Sequence, residues 1–436
     1  MPITELRIEG LRTIEKLRLK LDGLTVLIGE NGSGKSSIIE ACELLRRATS
    51  ERFLDEFYSI HGGLTALLRQ GASHLRLGVT VKPARGTYPQ YPSDYFEELA
   101  LIEYELVLLP HGSFAVLEET IRVQPKPSSL LAQHLAASSS RTGKSTVKRQ
   151  WIPVVEHKGG RRKLLFENYE MELDDRTSIL SRSLPEISAG TLEEAVAKAV
   201  AIHLRNLHTH LPFEVLPAWA ARALDRKAAL RTSAPLAPAD RLEKLGLNLA
   251  NAFHALKNNY SQEEWQRTLD YIRLGLGNRI EDVSTLADPS GGSIGLALKF
   301  KNLDRQVPAS QLSDGMLSYL AFVALFRLRA TPPSLVALDE PDLHLHPRLL
   351  MRVLDMFEAM ARDFPVLVAT HSDRLLDGLS DPARSVVLCE LDENQATRLY
   401  RPDPRALAKW LERYRGLGDI RGAGHEASVL TRKERA

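Results

Sequence analysis

Only two cysteines, Cys42 and Cys389, occur in 436 residues, and both lie in apolar runs. That scarcity excludes a disulfide framework or a cysteine-rich metal site and leaves two small buried hydrophobes. Long apolar stretches are missing too. None approaches the roughly eighteen residues that span a bilayer, and the longest, Met316 to Leu328, is interrupted. The N-terminus, Met-Pro-Ile-Thr-Glu-Leu-Arg, has no apolar signal core. These absences predict a cytoplasmic protein with no membrane part of its own. Net charge is scarce as well, +2 at neutral pH, so no global field draws nucleic acid and any such contact has to be local. No sustained heptad run appears, which excludes a long coiled-coil rod, and no internal repeat is visible. What remains, 44% hydrophobic and 26% charged, suits a soluble globular chain of one large or two ordinary domains.

Residues Gly29 to Ser36 read Gly-Glu-Asn-Gly-Ser-Gly-Lys-Ser, a complete phosphate-binding loop. Leu24, Val26, Leu27 and Ile28 supply an apolar strand before it. Ser37, Ile38, Ile39, Ala41, Leu44 and Leu45 supply a helix-compatible run after it. A glycine-rich loop grips phosphate when a strand delivers it to a helix N-terminus, so the flanks count as much as the motif. Backbone N–H groups of Asn31, Gly32, Ser33, Gly34, Lys35 and Ser36 can converge on a β-phosphate, with Gly32 and Gly34 taking backbone angles closed to larger residues. Lys35 reaches the β- and γ-phosphates, and Ser36 holds Mg²⁺. The motif predicts binding of a nucleoside triphosphate.

Residues 3–28 read as a strand pair followed by a buried strand, and residues 75–123 alternate like an antiparallel sheet. A Ser-, Lys- and Pro-rich stretch at 126–150 predicts a mobile loop. Within it Arg141 to Ser145 imitates half a phosphate loop, but no apolar strand precedes it. A hairpin is expected around Gly159-Gly160, flanked by Val154-Val155 and Leu164-Leu165-Phe166. From 190 to 280 the pattern is helical, with a polar break at 225–240. The expected organisation is an N-terminal half at 1–125, a lobe of loop, hairpin and helices at 126–290, a C-terminal half at 291–400 and a tail at 401–436.

The last third carries more chemistry. Ser334 to Leu338 is a buried strand ending in Asp339-Glu340. Alone, such a pair caps a helix or sits in a turn; behind a phosphate loop, Asp339 reads as the Mg²⁺ carboxylate and Glu340 as the group that polarises an attacking water. Phe364 to Ala369 is a second buried strand, leading to Thr370 and His371, a histidine placed to bond a γ-phosphate. Gln311-Leu312-Ser313-Asp314-Gly315 precedes the apolar helical run, so Ser313 reads as an N-cap and Gly315 as a first-turn residue.

Together and in this order, these four elements resemble the ATP-binding-cassette superfamily, in its soluble branch with RecF, Rad50, SMC proteins and the ATPases of overcoming-lysogenization-defect nucleases. Leu27 to Ser37, Leu312 to Gly315, Leu338 to Pro347 and Thr370-His371-Ser372 look like that branch's Walker A, signature, Walker B with D-loop, and switch histidine. The resemblance covers roughly residues 1–110 and 290–400. It implies an α/β fold, a P-loop NTPase of ABC-ATPase type with an antiparallel β subdomain and a helical lobe. It also implies that two copies sandwich two ATP molecules. Lys35, Ser36 and Ser37 of one copy then face Ser313, Asp314 and Gly315 of the other, with Asp342 at the interface. Glu340 and His371 are the implied catalytic residues, Ser36 and Asp339 the implied Mg²⁺ ligands. The branch's Q-loop glutamine has two candidates, Gln70 and Gln124. No spaced Asp-x-Asp follows Cys389-Glu390, so the nuclease module of the overcoming-lysogenization-defect proteins is not expected.

The leading functional expectation is a Mg²⁺-dependent ATPase that dimerises on ATP, or builds a higher oligomer. It would control a separate effector such as a nuclease, or act on DNA, in genome maintenance or anti-phage defence. The basic clusters Lys148-Arg149 and Arg161-Arg162-Lys163 could meet a phosphate backbone, but charge runs of this density are more often solvated faces. The alternatives are the ATP-binding subunit of a membrane transporter, and a slow nucleotide-dependent sensor.

Overall fold

The computed structural model describes residues 3–83, 96–112, 114–129, 151–165, 169–181, 191–216, 229–287, 292–425 and 428–431. The loop core at 130–150, with Arg141 to Ser145 and Lys148-Arg149, lies outside them, as does Phe166.

Alternation of apolar and polar residues sets the first layer. Strands β1 (Ile3–Leu11) and β2 (Ile14–Lys20) form a hairpin that leads into β3 (Leu24–Gly29). Strands β4 (Leu75–Val81), β5 (Leu99–His111), β6 (Phe114–Pro125), β7 (Ile152–Lys158), β8 (Arg161–Leu164) and β9 (Tyr169–Glu172) follow. All but β3 join one eight-stranded antiparallel sheet in the order β2-β1-β4-β5-β6-β7-β8-β9. The Gly159-Gly160 turn closes the expected hairpin, with Lys158 opposite Arg161.

Strand β3 itself is buried at all six positions and belongs elsewhere. With β10 (Leu207–His210), β15 (Leu335–Asp339), β16 (Val366–Ala369), β17 (Val386–Leu391), β18 (Thr397–Pro402) and β19 (Leu430–Thr431), it forms a seven-stranded sheet ordered β10-β15-β16-β3-β17-β18-β19. The pairs from β10 to β17 are parallel, and β18 and β19 add antiparallel edges. A parallel sheet needs cover on both faces, which is why these strands read as continuous apolar runs. Alternate residues divide between two cores. Leu27, Ala337, Leu367, Ala369 and Cys389 face the antiparallel sheet and the helix Lys35–Arg47. Val26, Ile28, Leu338, Val368 and Leu388 face the helices Leu249–Asn258, Asp314–Arg327 and Pro347–Met360. A third sheet, β11 (Ala234–Pro235), β12 (Ile280–Ala287), β13 (Ser293–Phe300) and β14 (Val307–Pro308), flanks this second core.

The longest apolar run is the core helix Asp314–Arg327, whose Tyr319 hydroxyl donates to Tyr271 O at 2.7 Å. Among the described residues no helix is long and apolar enough to cross a membrane. Both cysteines are buried and free.

Two expectations need correction. The cluster Arg161-Arg162-Lys163 is not a wholly solvated face: alternation along β8 buries Arg162 while Arg161 and Lys163 stay exposed. The stretch 190–280 is not continuously helical: after the helix Leu192–Arg205 the chain forms β10, which pairs parallel with β15. Leu-His-Thr-His is four residues long, too short for periodicity to declare itself, and its partner lies far away in sequence.

Candidate functional site

The site gathers at the C-terminal edge of the parallel sheet, where open α/β sheets place ligands. Strand β3 ends at Gly29 and the chain turns through Gly32 (φ +80°) and Gly34 (φ +99°) before the helix Lys35–Arg47 begins. Gly34 is doubly constrained. Its φ lies in the left-handed region, and an added Cβ would stand 2.4 Å from Thr397 Oγ1. That hydroxyl bonds Thr13 Oγ1 at 2.8 Å, so β18 and the β1–β2 turn wall the loop on this side. Asn31, Gly32 and Ser36 are exposed, whereas Ser33, Lys35 and Ser37 are buried.

The Lys35 ammonium folds back on the loop, donating to Gly29 O at 2.8 Å and Glu30 O at 2.7 Å. Burial pushes its pKa below the ordinary lysine range. Cys389, Asp339 and Glu340 oppose that shift, and Arg421 reinforces it.

Two strands away, β15 delivers the carboxylates. Ser36 Oγ donates to Asp339 Oδ1 at 3.2 Å, which brings together two hard oxygen ligands of the kind a small divalent cation takes. Burial raises the Asp339 pKa; the Ser36 hydrogen bond opposes this, and the like charge of Glu340 adds to it. Among the described residues no group of three or more His, Cys, Asp or Glu could cage a metal. Glu340 follows with φ +44°, an unusual angle for a residue with a side chain, and its N–H donates to Ala369 O at 2.8 Å. The turn aims its carboxylate at the His371 ring, with Oε1 3.8 Å from Nε2, too far for a hydrogen bond. Both side chains are about one-third exposed, at 38% and 35%.

Asp342 is held within the same chain. Thr370 Oγ1 donates to its Oδ1 at 2.5 Å and accepts from Ser372 N at 3.0 Å. The loop after β15 and the loop carrying His371 are thereby tied together. The His-x-His-Pro sequence also has a local reason: His346 caps the helix Pro347–Met360, its Nδ1 accepting from Arg348 N at 3.3 Å.

Ser313 is an N-cap, its hydroxyl accepting from Met316 N at 3.3 Å. The neighbouring contacts of this segment run to the lobe and to the loop after β15. Gly315 sits where a Cβ would meet His344 O at 3.0 Å, and Asp314 accepts a short hydrogen bond from Arg231 Nη2. Arg231 also donates to Leu312 O at 2.6 Å and Val215 O at 2.8 Å from a nearly buried position. It fastens the Ser313 segment to the lobe, and a lone arginine in a polar break gave no sign of this in the sequence. Thr370 likewise carries no motif of its own. Of the glutamines, Gln70 lies exposed in a turn. Gln124 lines a cavity of about 640 Å³ with Gly23 and Phe364, at the sheet edge opposite the phosphate loop.

Two family models match this chain. One described as "AAA domain, putative AbiEii toxin, Type IV TA system" matches residues 159–377, half of the chain. One described as "AAA ATPase domain" matches residues 1–84. Among solved structures, the SMC head bound to the C-winged helix domain of ScpA is 13% identical, with a TM-score of 0.53 over 94% of this chain and 100% of that one. An SMC head with an extended coiled coil, bound to the C-terminal domain of ScpA derived from Pyrococcus furiosus, is 12% identical, with a TM-score of 0.50 over 94% and 98%. At this identity the likeness is one of fold.

Proposed function

This chain belongs to the AAA-domain ATPase family whose model it matches over residues 159–377, and on that premise we propose how its ATPase works and what it controls. ATP binds the loop Asn31 to Ser37 and is hydrolysed with Mg²⁺ held by Ser36 and Asp339. When bound there, Mg²⁺ would supply charge compensation to the phosphates. Lys35 leaves the Gly29 and Glu30 carbonyls for phosphate oxygens. Glu340 orients a water and takes its proton, and His371 donates to the γ-phosphate. Two copies meet across the nucleotides, Ser313, Asp314 and Gly315 of each facing the phosphate loop of the other, with Asp342 at the seam.

The convergence of Ser36, Asp339, Glu340 and His371 on the phosphate loop carries this reading. The exposure of Asn31, Gly32 and Ser36, with the Arg231–Asp314 bond and the close packing of Gly315 on His344 O, supports its completion by a second copy. Such a dimer is a population shift, because ATP bonds both halves whereas ADP lacks the group that joins them. The output is control of a separate effector, such as a nuclease, or an action on DNA. The SMC head is bound to a ScpA domain, and the family description names a Type IV TA system; both support an ATPase that works with a partner.

The test is sedimentation with and without ATP. Wild type is expected to dimerise; Lys35→Ala is expected to lose nucleotide binding; Ser313→Arg is expected to bind ATP yet stay monomeric. A wild type that binds ATP and remains monomeric overturns the sandwich, and unchanged affinity in Lys35→Ala overturns the site. Turnover measured with and without DNA and with the products of neighbouring genes addresses the output.

A further inference from the structure

The C-terminal segment carries no motif, yet it returns to the phosphate loop. A cleft of about 500 Å³ has Gly29, Glu30, Asn31 and Ser33 on one side, and Cys389 and Arg421 among its other walls. Arg421 comes from the helix Leu417–Gly422, and its placement is built, not incidental. Gly418 packs so closely on the short helix Asp373–Asp377 that an added Cβ would stand 2.0 Å from Asp373 O. Asp419 N donates to Asp377 Oδ1 at 2.9 Å, and Arg421 Nη1 to Asp373 Oδ1 at 2.6 Å. The guanidinium is therefore held two positions from His371, in the cleft that the phosphate loop borders.

We propose that Arg421 is a phosphate-contacting residue of the ATPase, delivered in cis by the C-terminal helix to the triphosphate. The inference rests on the nucleotide reading above. A triphosphate brings about four negative charges, more than one lysine and one Mg²⁺ compensate. Arginine is suited to the task, since its planar fork can serve a carboxylate and a phosphate together. Asp373 then acts as a parking partner that holds the guanidinium until ATP draws it away. Arg421 also lies close enough for its charge to act on Lys35.

The experiment measures ATP and ADP affinity and single-turnover hydrolysis in full-length Arg421→Ala, Arg421→Lys and Asp373→Asn, with Lys35→Ala as the control for the site. Arg421→Ala is expected to lose roughly tenfold or more in ATP affinity or turnover, and less for ADP. Asp373→Asn, which releases the guanidinium, is expected to keep or improve ATP affinity. Wild-type behaviour of Arg421→Ala overturns the proposal, as does an equal loss in Asp373→Asn, which would make the pair a structural latch. If Arg421→Ala does not fold, Arg421→Lys decides: it keeps charge without the fork, and unchanged turnover overturns the contact. Wild-type affinity in Lys35→Ala would instead sink the nucleotide site itself, whatever Arg421 does.

Discussion

The Ser36 hydroxyl donates to Asp339 Oδ1 at 3.2 Å although 303 positions separate the two residues. Strand order explains the meeting: β16 alone lies between β3 and β15, so both chain ends arrive at one sheet edge. A hydroxyl and a carboxylate so placed can share a cation. Asp339→Asn keeps the shape and removes the charge, and turnover is expected to fall at least about 100-fold, since a bound metal supplies several kcal/mol of transition-state stabilisation. Steady-state hydrolysis across a Mg²⁺ series checks this; a variant with wild-type rate and Mg²⁺ dependence would remove Asp339 from the metal site.

Glu340 invites a different variant. Its backbone is fixed by the N–H bond to Ala369 O and by φ +44°, so the carboxylate can be altered without moving the turn. Glu340→Gln is expected to slow hydrolysis by roughly 10²–10⁴-fold while nucleotide binding persists, because only the proton acceptor is lost. ATP-bound dimer should then accumulate, visible as a doubled mass by light scattering after gel filtration. Rapid turnover in this variant would assign the base elsewhere.

What was legible in the sequence follows from how local each cause is. The phosphate loop, the Ser313 cap and the strands ending in Asp339 and Ala369 are set by neighbours along the chain, and each was readable there. Strand β10 was not, because its four residues become a strand only by pairing with β15. Arg231 and Thr370 were hidden for a related reason: what each bonds, Asp314 and Asp342, is brought near by tertiary folding. Arg421 belongs to the same class, since nothing around it in sequence points to a phosphate loop nearly four hundred residues earlier.

Arg231 offers a test of how the Ser313 segment is positioned. Removing its guanidinium leaves Asp314 and the carbonyls of Leu312 and Val215 without these bonds, at a cost of about 2–4 kcal/mol in stability. Arg231→Ala is therefore expected to lose ATP-driven self-association while the monomer keeps its ATP affinity within about twofold, since Lys35 and Ser36 are untouched. Arg231→Lys should not restore association, because one ammonium cannot span three acceptors. Normal association in Arg231→Ala, measured by sedimentation, would show that the segment keeps its shape without the lobe.

Glu43 makes the stability of the phosphate-loop helix sensitive to acid. Burial alone would raise its pKa. Hydrogen bonds from Arg46 and Thr209, with the charges of Arg46 and Lys244, outweigh that and hold it at about 2, against an ordinary 4.5. A folded value below the unfolded one means that the carboxylate stabilises the fold fully above pH 4.5, and that this contribution fades as pH falls toward 2. Its size at neutral pH is on the order of 3 kcal/mol. Glu43→Gln cannot titrate, so its deficit in unfolding free energy relative to wild type should be large at pH 7 and shrink steadily below pH 4.5. Urea unfolding of both proteins at stepped pH measures this, and a deficit independent of pH would mean that the ion cluster around Glu43 does not anchor the helix to β10.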